Sequence, residues 1–197
     1  MTRILTAAFA ATCAFCFTSA PVLGANEEPV LAKQLLPARG GARLTVRSDA
    51  FAGGDAIPDR NSQNGENVSP PLEWSKGPQG TRSYVVLAED AGGKQTEPII
   101  HWIVYNLDLA TVRLPPGLPA EGNIEHGGNQ GKNVAGKIGY IGPKPPAGEE
   151  HPYHFQVFAL NAKLNLDPAT ADRDAVIKAM KGKVIAEGDL IGTYTGK

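Results

Sequence analysis

Cysteine is nearly missing from this chain: Cys13 and Cys16 are the only two, and both fall in the opening segment. That segment has Arg3, an apolar run from Ile4 to Phe17, small residues and a break at Pro21. A basic start, a short apolar core and a small-residue exit have the form of a secretory signal peptide, assigned to residues 1–24 with cleavage expected after Gly24 or Ala25. The C-x-x-C spacing would be a redox motif in a folded domain, but here it would leave with the signal. Neither cysteine follows the pattern of a lipoprotein cleavage site, which argues against a lipid anchor. The expected mature chain thus has no thiol, no disulfide and no Cys-ligated metal. Long hydrophobic runs are also lacking, since the one apolar stretch falls short of the roughly 20 residues that span a bilayer. Charge of one sign is lacking too: 19 Lys and Arg face 20 Asp and Glu. No basic cluster interleaves with the few aromatics, so nucleic acid is not an expected partner.

About 170 residues remain, enough to bury roughly 70% of the unfolded surface in one domain. Residues 25–42, with Pro29, Pro37 and Gly40-Gly41, read as a flexible arm, and the domain is assigned to 43–197. Arg43 to Ser48 alternates apolar and polar residues as a half-buried strand does. Asp55 to Gln63 is polar and turn-rich, and Asn67 to Trp74, with Pro70-Pro71, is an extended connector. Ser83 to Ala88 and Ile99 to Leu107 are apolar on both parities, which predicts strands covered on both faces. Ala120 to Gly139 is a long Gly/Asn-rich loop, and Tyr153 to Leu160 is a further strand. A helix is expected from Asp167-Pro168 to a stop at Gly182. Val184 to Ala186 reads as its continuation or a turn, before a last strand from Asp189 to Tyr194.

Three of the four histidines lie in two segments, Glu89 to Trp102 and Gly142 to Phe155. The second joins a Gly/Pro-rich loop, stiff because proline fixes φ and removes a donor, to a histidine at a strand mouth. Asp90, just past an apolar strand, reads either as a turn cap or as an anchor that orients an imidazole. His101, between Ile100 and Trp102, reads as a satisfied core residue or as a site residue whose simplest partner is Asp90. His151 and His154 form H-x-x-H, but residues three apart on a strand point to opposite faces and cannot share one metal ion. Neither H-E-x-x-H nor G-x-S-x-G occurs, so no catalytic residue is assigned, and no metal or cofactor is expected.

Taken in order, these blocks resemble the phosphatidylethanolamine-binding protein family, also called Raf kinase inhibitor-like proteins, in its bacterial branch. The resemblance runs through Asn67 to Trp74, Ser83 to Leu87 leading to Asp90, His101 to Asn106 and Leu114 to Gly117. It continues through Gly139 to Pro146, Gly148, His151, Tyr153 to Phe155 and Ala159-Leu160. It implies a mainly β fold with peripheral α, in which a large central sheet packs with a smaller sheet and a C-terminal helix lies outside. It also implies a small open pocket for phosphate-like anions or phospholipid head groups, formed by Asp90, His101, His151 and Tyr153 with a rim around Lys144 and Pro145. Two family features are missing. A second acid has given way to Gly92, and an arginine to Pro152. If those two normally pair, losing both is close to neutral, whereas restoring one strands a charge.

The expected role is a non-enzymatic, periplasmic or secreted binding protein whose partner is a small anion, with Asp90 keeping a pocket imidazole protonated. The alternatives are an interaction module that inhibits a kinase or hydrolase target, and a metal-assisted hydrolase. A homodimer is compatible with each.

Overall fold

The computed structural model describes residues 29–197 except Lys94, Glu125 and His126. The expected signal peptide, with Cys13 and Cys16, lies outside the described residues, as does the fourth histidine. The chain enters through a one-turn helix α1 (Ala32–Leu35) and two short strands, β1 (Ala42–Arg43) and β2 (Val46–Arg47). After a 3-10 turn at Asp59–Asn61 come β3 (Leu72–Trp74), β4 (Ser83–Asp90), β5 (Ile99–Leu107), β6 (Arg113–Leu114) and β7 (Asn129–Gln130). The last elements are β8 (Glu150–Leu160), α2 (Arg173–Met180) and β9 (Val184–Thr195). They make a six-stranded sheet ordered β1-β9-β8-β4-β5-β7 and a three-stranded sheet ordered β2-β3-β6. Only β1 runs parallel to its neighbour, and the other pairs are antiparallel.

Side chains of β4, β5 and β8 alternate between two cores. Tyr84, Val86, Trp102, Phe155 and Val157 face the small sheet, where they meet Leu72, Trp74 and Leu114. Val85, Leu87, Ile103, Tyr105 and Phe158 face the other way and are covered by Ala32, Leu36, Val176, Ile177 and Met180. This explains the apolar residues on both parities, because neither face of these strands meets water.

Four expectations change. The stretch 43–48 is not one strand: the backbone passes from β1 in the large sheet to β2 in the small one, and so crosses the core edge. The flexible arm is, from residue 29 onward, a docked segment with Leu31, Ala32 and Leu36 buried. Its backbone meets side chains of the sheet, with Ala32 N–H donating to Glu89 Oε2 at 2.8 Å and Lys33 N–H to Gln156 Oε1 at 2.8 Å. The helix begins at Arg173 rather than 167, because Asp167 folds its own turn by accepting the Ala169 N–H (2.9 Å). Asp172 caps it by accepting the Ala175 N–H (2.9 Å), which satisfies one of the free donors of the first turn. Val184 to Ala186 belongs to neither helix nor turn: it starts β9, which pairs with β8 along nearly all its length.

Candidate functional site

Asp90 is the last residue of β4 and pairs in register with Tyr153 of β8, so both project to the same side of the sheet. His151 stands two residues before Tyr153 and shares that side. His101 would not reach it on regular alternation. Pairing between β4 and β5 steps from Ala88↔Trp102 to Glu89↔Ile100, which leaves His101 as the extra residue of a β-bulge. Such bulges re-aim a side chain, and here the result is that His101 meets the Tyr153 ring edge-on at a centroid distance of 5.2 Å.

The loop 140–149 closes the other side. Ile141 is tied to His101 twice: its N–H donates to the His101 carbonyl (3.0 Å), and its carbonyl accepts from His101 Nδ1 (2.7 Å). Gly142 then passes where a Cβ would lie 2.4 Å from the Asn61 carbonyl oxygen, so only glycine fits. Its N–H donates to Asn67 Oδ1 at 2.7 Å, and its carbonyl accepts from Gln63 Nε2 at 2.8 Å. Asn67 itself holds a positive φ of 57°, in the left-handed region that asparagine tolerates better than most residues. The connector thus fixes the loop that fixes His101.

A cleft of about 580 Å³ results, lined by Asp90, His101, Lys144, Pro145, His151 and Tyr153 among others. All six expected site residues are therefore brought together. Gln63, Gln95, Ile99, Val134 and Glu149 also line it. Glu149 belonged to the Gly142 to Phe155 segment, and its place so close to His151 was the signal for it. The other four come from loops and strand ends with no pattern to mark them. Lys144 is exposed at the rim, whereas Pro145 is buried. Of the long loop 120–139, Val134 lines the cleft. Gln130 of the same loop is buried, accepting from Trp102 Nε1 (2.8 Å) and donating to Pro119 and Glu121 carbonyls.

The expected pairing of Asp90 with His101 is corrected. Asp90 Oδ2 accepts from His151 Nδ1 at 2.9 Å, and Oδ1 from the Gly92 N–H at 2.7 Å. His101 has a backbone carbonyl as its partner instead. Burial pushes its pKa below the ordinary 6.5, and its hydrogen bond to Ile141 and the charge of Asp90 do not offset that. His101 is therefore neutral at neutral pH, against the expectation of a carboxylate-charged imidazole there. Burial and then the charge of Asp90 push Tyr153 well above its usual range, so its hydroxyl keeps its proton.

The Gly92 and Pro152 departures also read differently in three dimensions. A Cβ on Gly92 would lie 2.3 Å from His151 Cγ, so restoring an acid there displaces the imidazole. Restoring both missing residues is not the near-neutral change expected from charge pairing alone.

His154 points to the opposite face, where its Nδ1 bonds Asp189 Oδ2 (2.7 Å) beside Lys33 Nζ (2.5 Å). The H-x-x-H pair is split between faces, as strand geometry requires. Among the described residues no group of three or more His, Cys, Asp or Glu is arranged to hold a metal ion.

Three polar atoms in the cleft are buried and have no hydrogen-bond partner within the protein: His101 Nε2, His151 Nε2 and Tyr153 Oη. Buried polar atoms are almost always paired, so these three leave hydrogen-bonding capacity at the cleft that the protein itself does not fill. Glu149 Oε2 lies 3.5 Å from His151 Nε2 at the exposed edge.

Residues 47–195 match the family model described as phosphatidylethanolamine-binding protein. A UPF0098 protein of Methanothermobacter thermautotrophicus is 35% identical over 151 residues, covering 77% of this chain and 98% of the relative. A candidate lipoprotein of Mycobacterium tuberculosis, LppC, is 34% identical over 164 residues, covering 81% of this chain and 76% of its own. Among solved structures, the phosphatidylethanolamine-binding protein homologue CT736 of Chlamydia trachomatis aligns with a TM-score of 0.69 at 34% identity, covering 79% of this chain and 99% of that one. YbcL of E. coli, described as a member of the same mammalian family, aligns at 0.73 and 28% identity over 79% of this chain and all of its own.

Proposed function

We propose that this chain, which belongs to the phosphatidylethanolamine-binding protein family, is an exported binding protein that holds a small phosphate-like anion or phosphorylated head group in the cleft between β4, β5 and β8. The observation that carries the reading is the convergence of His101 Nε2, His151 Nε2 and Tyr153 Oη, all buried and all unpartnered within the protein. Lys144 at the rim adds a positive charge where an anion enters. Each of the two imidazoles already has a fixed acceptor behind it, a backbone carbonyl or a carboxylate, so this part of the cleft is organised before a ligand arrives, which lowers the ordering cost of binding. No nucleophile with an adjacent base is assembled among these residues, so the reading is binding rather than turnover. Export rests on the signal-like opening segment, and the Mycobacterium tuberculosis relative's description is in keeping with an envelope location.

Titration with phosphate and phosphoethanolamine, read by the histidine ring signals between pH 5 and 8, tests this. Saturable shifts at His101 and His151, abolished by His151→Ala, are expected. Unmoved ring signals at millimolar ligand would retire the cleft as the functional site and turn attention to protein targets.

A further inference from the structure

The proton positions in the cleft say more than that an anion fits. The Ile141 carbonyl can only accept, so His101 must carry its proton at Nδ1. Asp90 is likewise an acceptor, and the proton between it and His151 belongs to His151 Nδ1. A neutral imidazole has one N–H, so a neutral His101, its proton spent on the Ile141 carbonyl, turns a bare lone pair from Nε2 into the cleft. For His101, burial favours this neutral form. The groups facing it are Asp90 on β4, His151 and Tyr153 on β8, and Lys144 and Glu149 on the closing loop. Tyr153 and Lys144 offer donors, whereas Asp90 and Glu149 are acids that a fully deprotonated anion would face.

Resting on the anion-binding reading above, we propose that His101 Nε2 accepts a proton carried by the ligand. The cleft therefore selects phosphate groups that retain a P–O–H over sulfate and phosphodiesters, which bring none. A ligand of the first kind pairs the buried lone pair with its own hydroxyl and leaves its other oxygens for Tyr153 and Lys144. A ligand of the second kind sets an oxygen lone pair against a nitrogen lone pair in a site with little water to separate them. The favoured class is inorganic phosphate and phosphomonoesters in their singly protonated form, and the phosphodiester of an intact phospholipid is disfavoured.

Calorimetric titrations of the protein with inorganic phosphate, methyl phosphate, dimethyl phosphate and sulfate, at constant ionic strength and at pH 5.5, 6.5 and 8, decide the matter. Inorganic phosphate, which still holds one proton at pH 8, should keep its affinity between pH 6.5 and 8. Methyl phosphate loses its last proton near a pKa of about 6 and should weaken toward about tenfold per pH unit above it. Sulfate and dimethyl phosphate should bind about tenfold or more weaker than phosphate at pH 6.5, the order expected when a buried acceptor is left without a donor. His101→Gln, whose amide can turn an N–H toward the ligand, should bring sulfate level with phosphate. Should that variant fail to fold, the pH series on the unaltered protein decides alone. Sulfate binding within twofold of phosphate, with uptake of one proton from the buffer, would show that the imidazole supplies the proton and overturn this selectivity while leaving anion binding intact. Failure of every anion to bind at all three pH values would remove both readings.

Discussion

Each histidine of the cleft is held from behind by a different kind of acceptor, a carbonyl for His101 and a carboxylate for His151. For His101 this has a consequence for stability. Its folded pKa lies below the unfolded 6.5, so the unfolded chain binds more protons as pH falls under that value. Stability is then complete above pH 6.5 and is lost below it, with a slope of up to about 1.4 kcal/mol per pH unit for this one group. Melting temperatures in phosphate-free buffer should fall between pH 7 and 5, and His101→Gln should flatten that part of the profile. Gly92 offers a second test. In Gly92→Ala the new methyl must displace the His151 ring, at a cost of about 1–3 kcal/mol in a packed site. Chemical denaturation would read that cost, and the His151 ring signals should lose their response to phosphate. Asp90, His101, His151 and Tyr153 could be picked out in the sequence because the family resemblance ties each to a motif. Their pairing could not, because the partner of His101 is a backbone carbonyl 40 residues away and carbonyls leave no mark in a sequence.

At the scale of elements, strand positions were legible and their irregularities were not. Ser83 to Ala88, Ile99 to Leu107 and Tyr153 to Leu160 could be read from their apolar, β-branched character. The bulge at His101 could not, since it comes from a register step against β4 that depends on pairing rather than composition. The docked α1 is a similar case. Its four residues carry no periodicity, and what holds it is a buried polar cluster centred on Glu89, which is fully buried. Glu89 Oε1 accepts from Arg173 Nε at 2.6 Å, and Oε2 from the Ala32 N–H and Gln156 Nε2. Removing one member of such a pair costs more than the pair contributes, because the other charge is left desolvated. Arg173→Ala should therefore cost about 3–5 kcal/mol in urea denaturation. Adding Glu89→Gln should recover part of the loss. Equal stability of the single and double variants would mean that water reaches Glu89 once the arginine is gone.

Over the whole molecule, strands apolar on both parities showed that each face needs a cover, and the second sheet as one of those covers was expected from the family resemblance alone. The full identity of the other cover was not. The outer face of the large sheet is roofed partly by α2 and partly by residues 29–37, which sequence composition assigned to an arm. A chain starting at Ala38 would expose the sites of Leu31 and Leu36, worth about 3–6 kcal/mol together by area burial, and would leave Glu89 short of a donor. Against a typical total of about 5–15 kcal/mol, that truncation should lower the melting temperature steeply. A chain starting at Pro29 keeps these contacts and should melt well above the one starting at Ala38. Differential scanning calorimetry of the two chains would decide between a roof and an appendage.

Glu89 and Asp90 are adjacent, yet one anchors the helix-bearing face and the other the cleft. Tyr153 and His154 repeat the division on the neighbouring strand. Insertion or loss of a single residue near the end of β4 would exchange the two carboxylates, sending the cleft's acid under α1 and the roof's acid toward His151. Length at this strand end is consequently locked even where side chains are free to change. Loops grafted between β4 and β5 to reshape the cleft have to begin after Asp90 and to keep Gly92, whose N–H holds the Asp90 carboxylate and whose missing Cβ leaves room for the His151 ring.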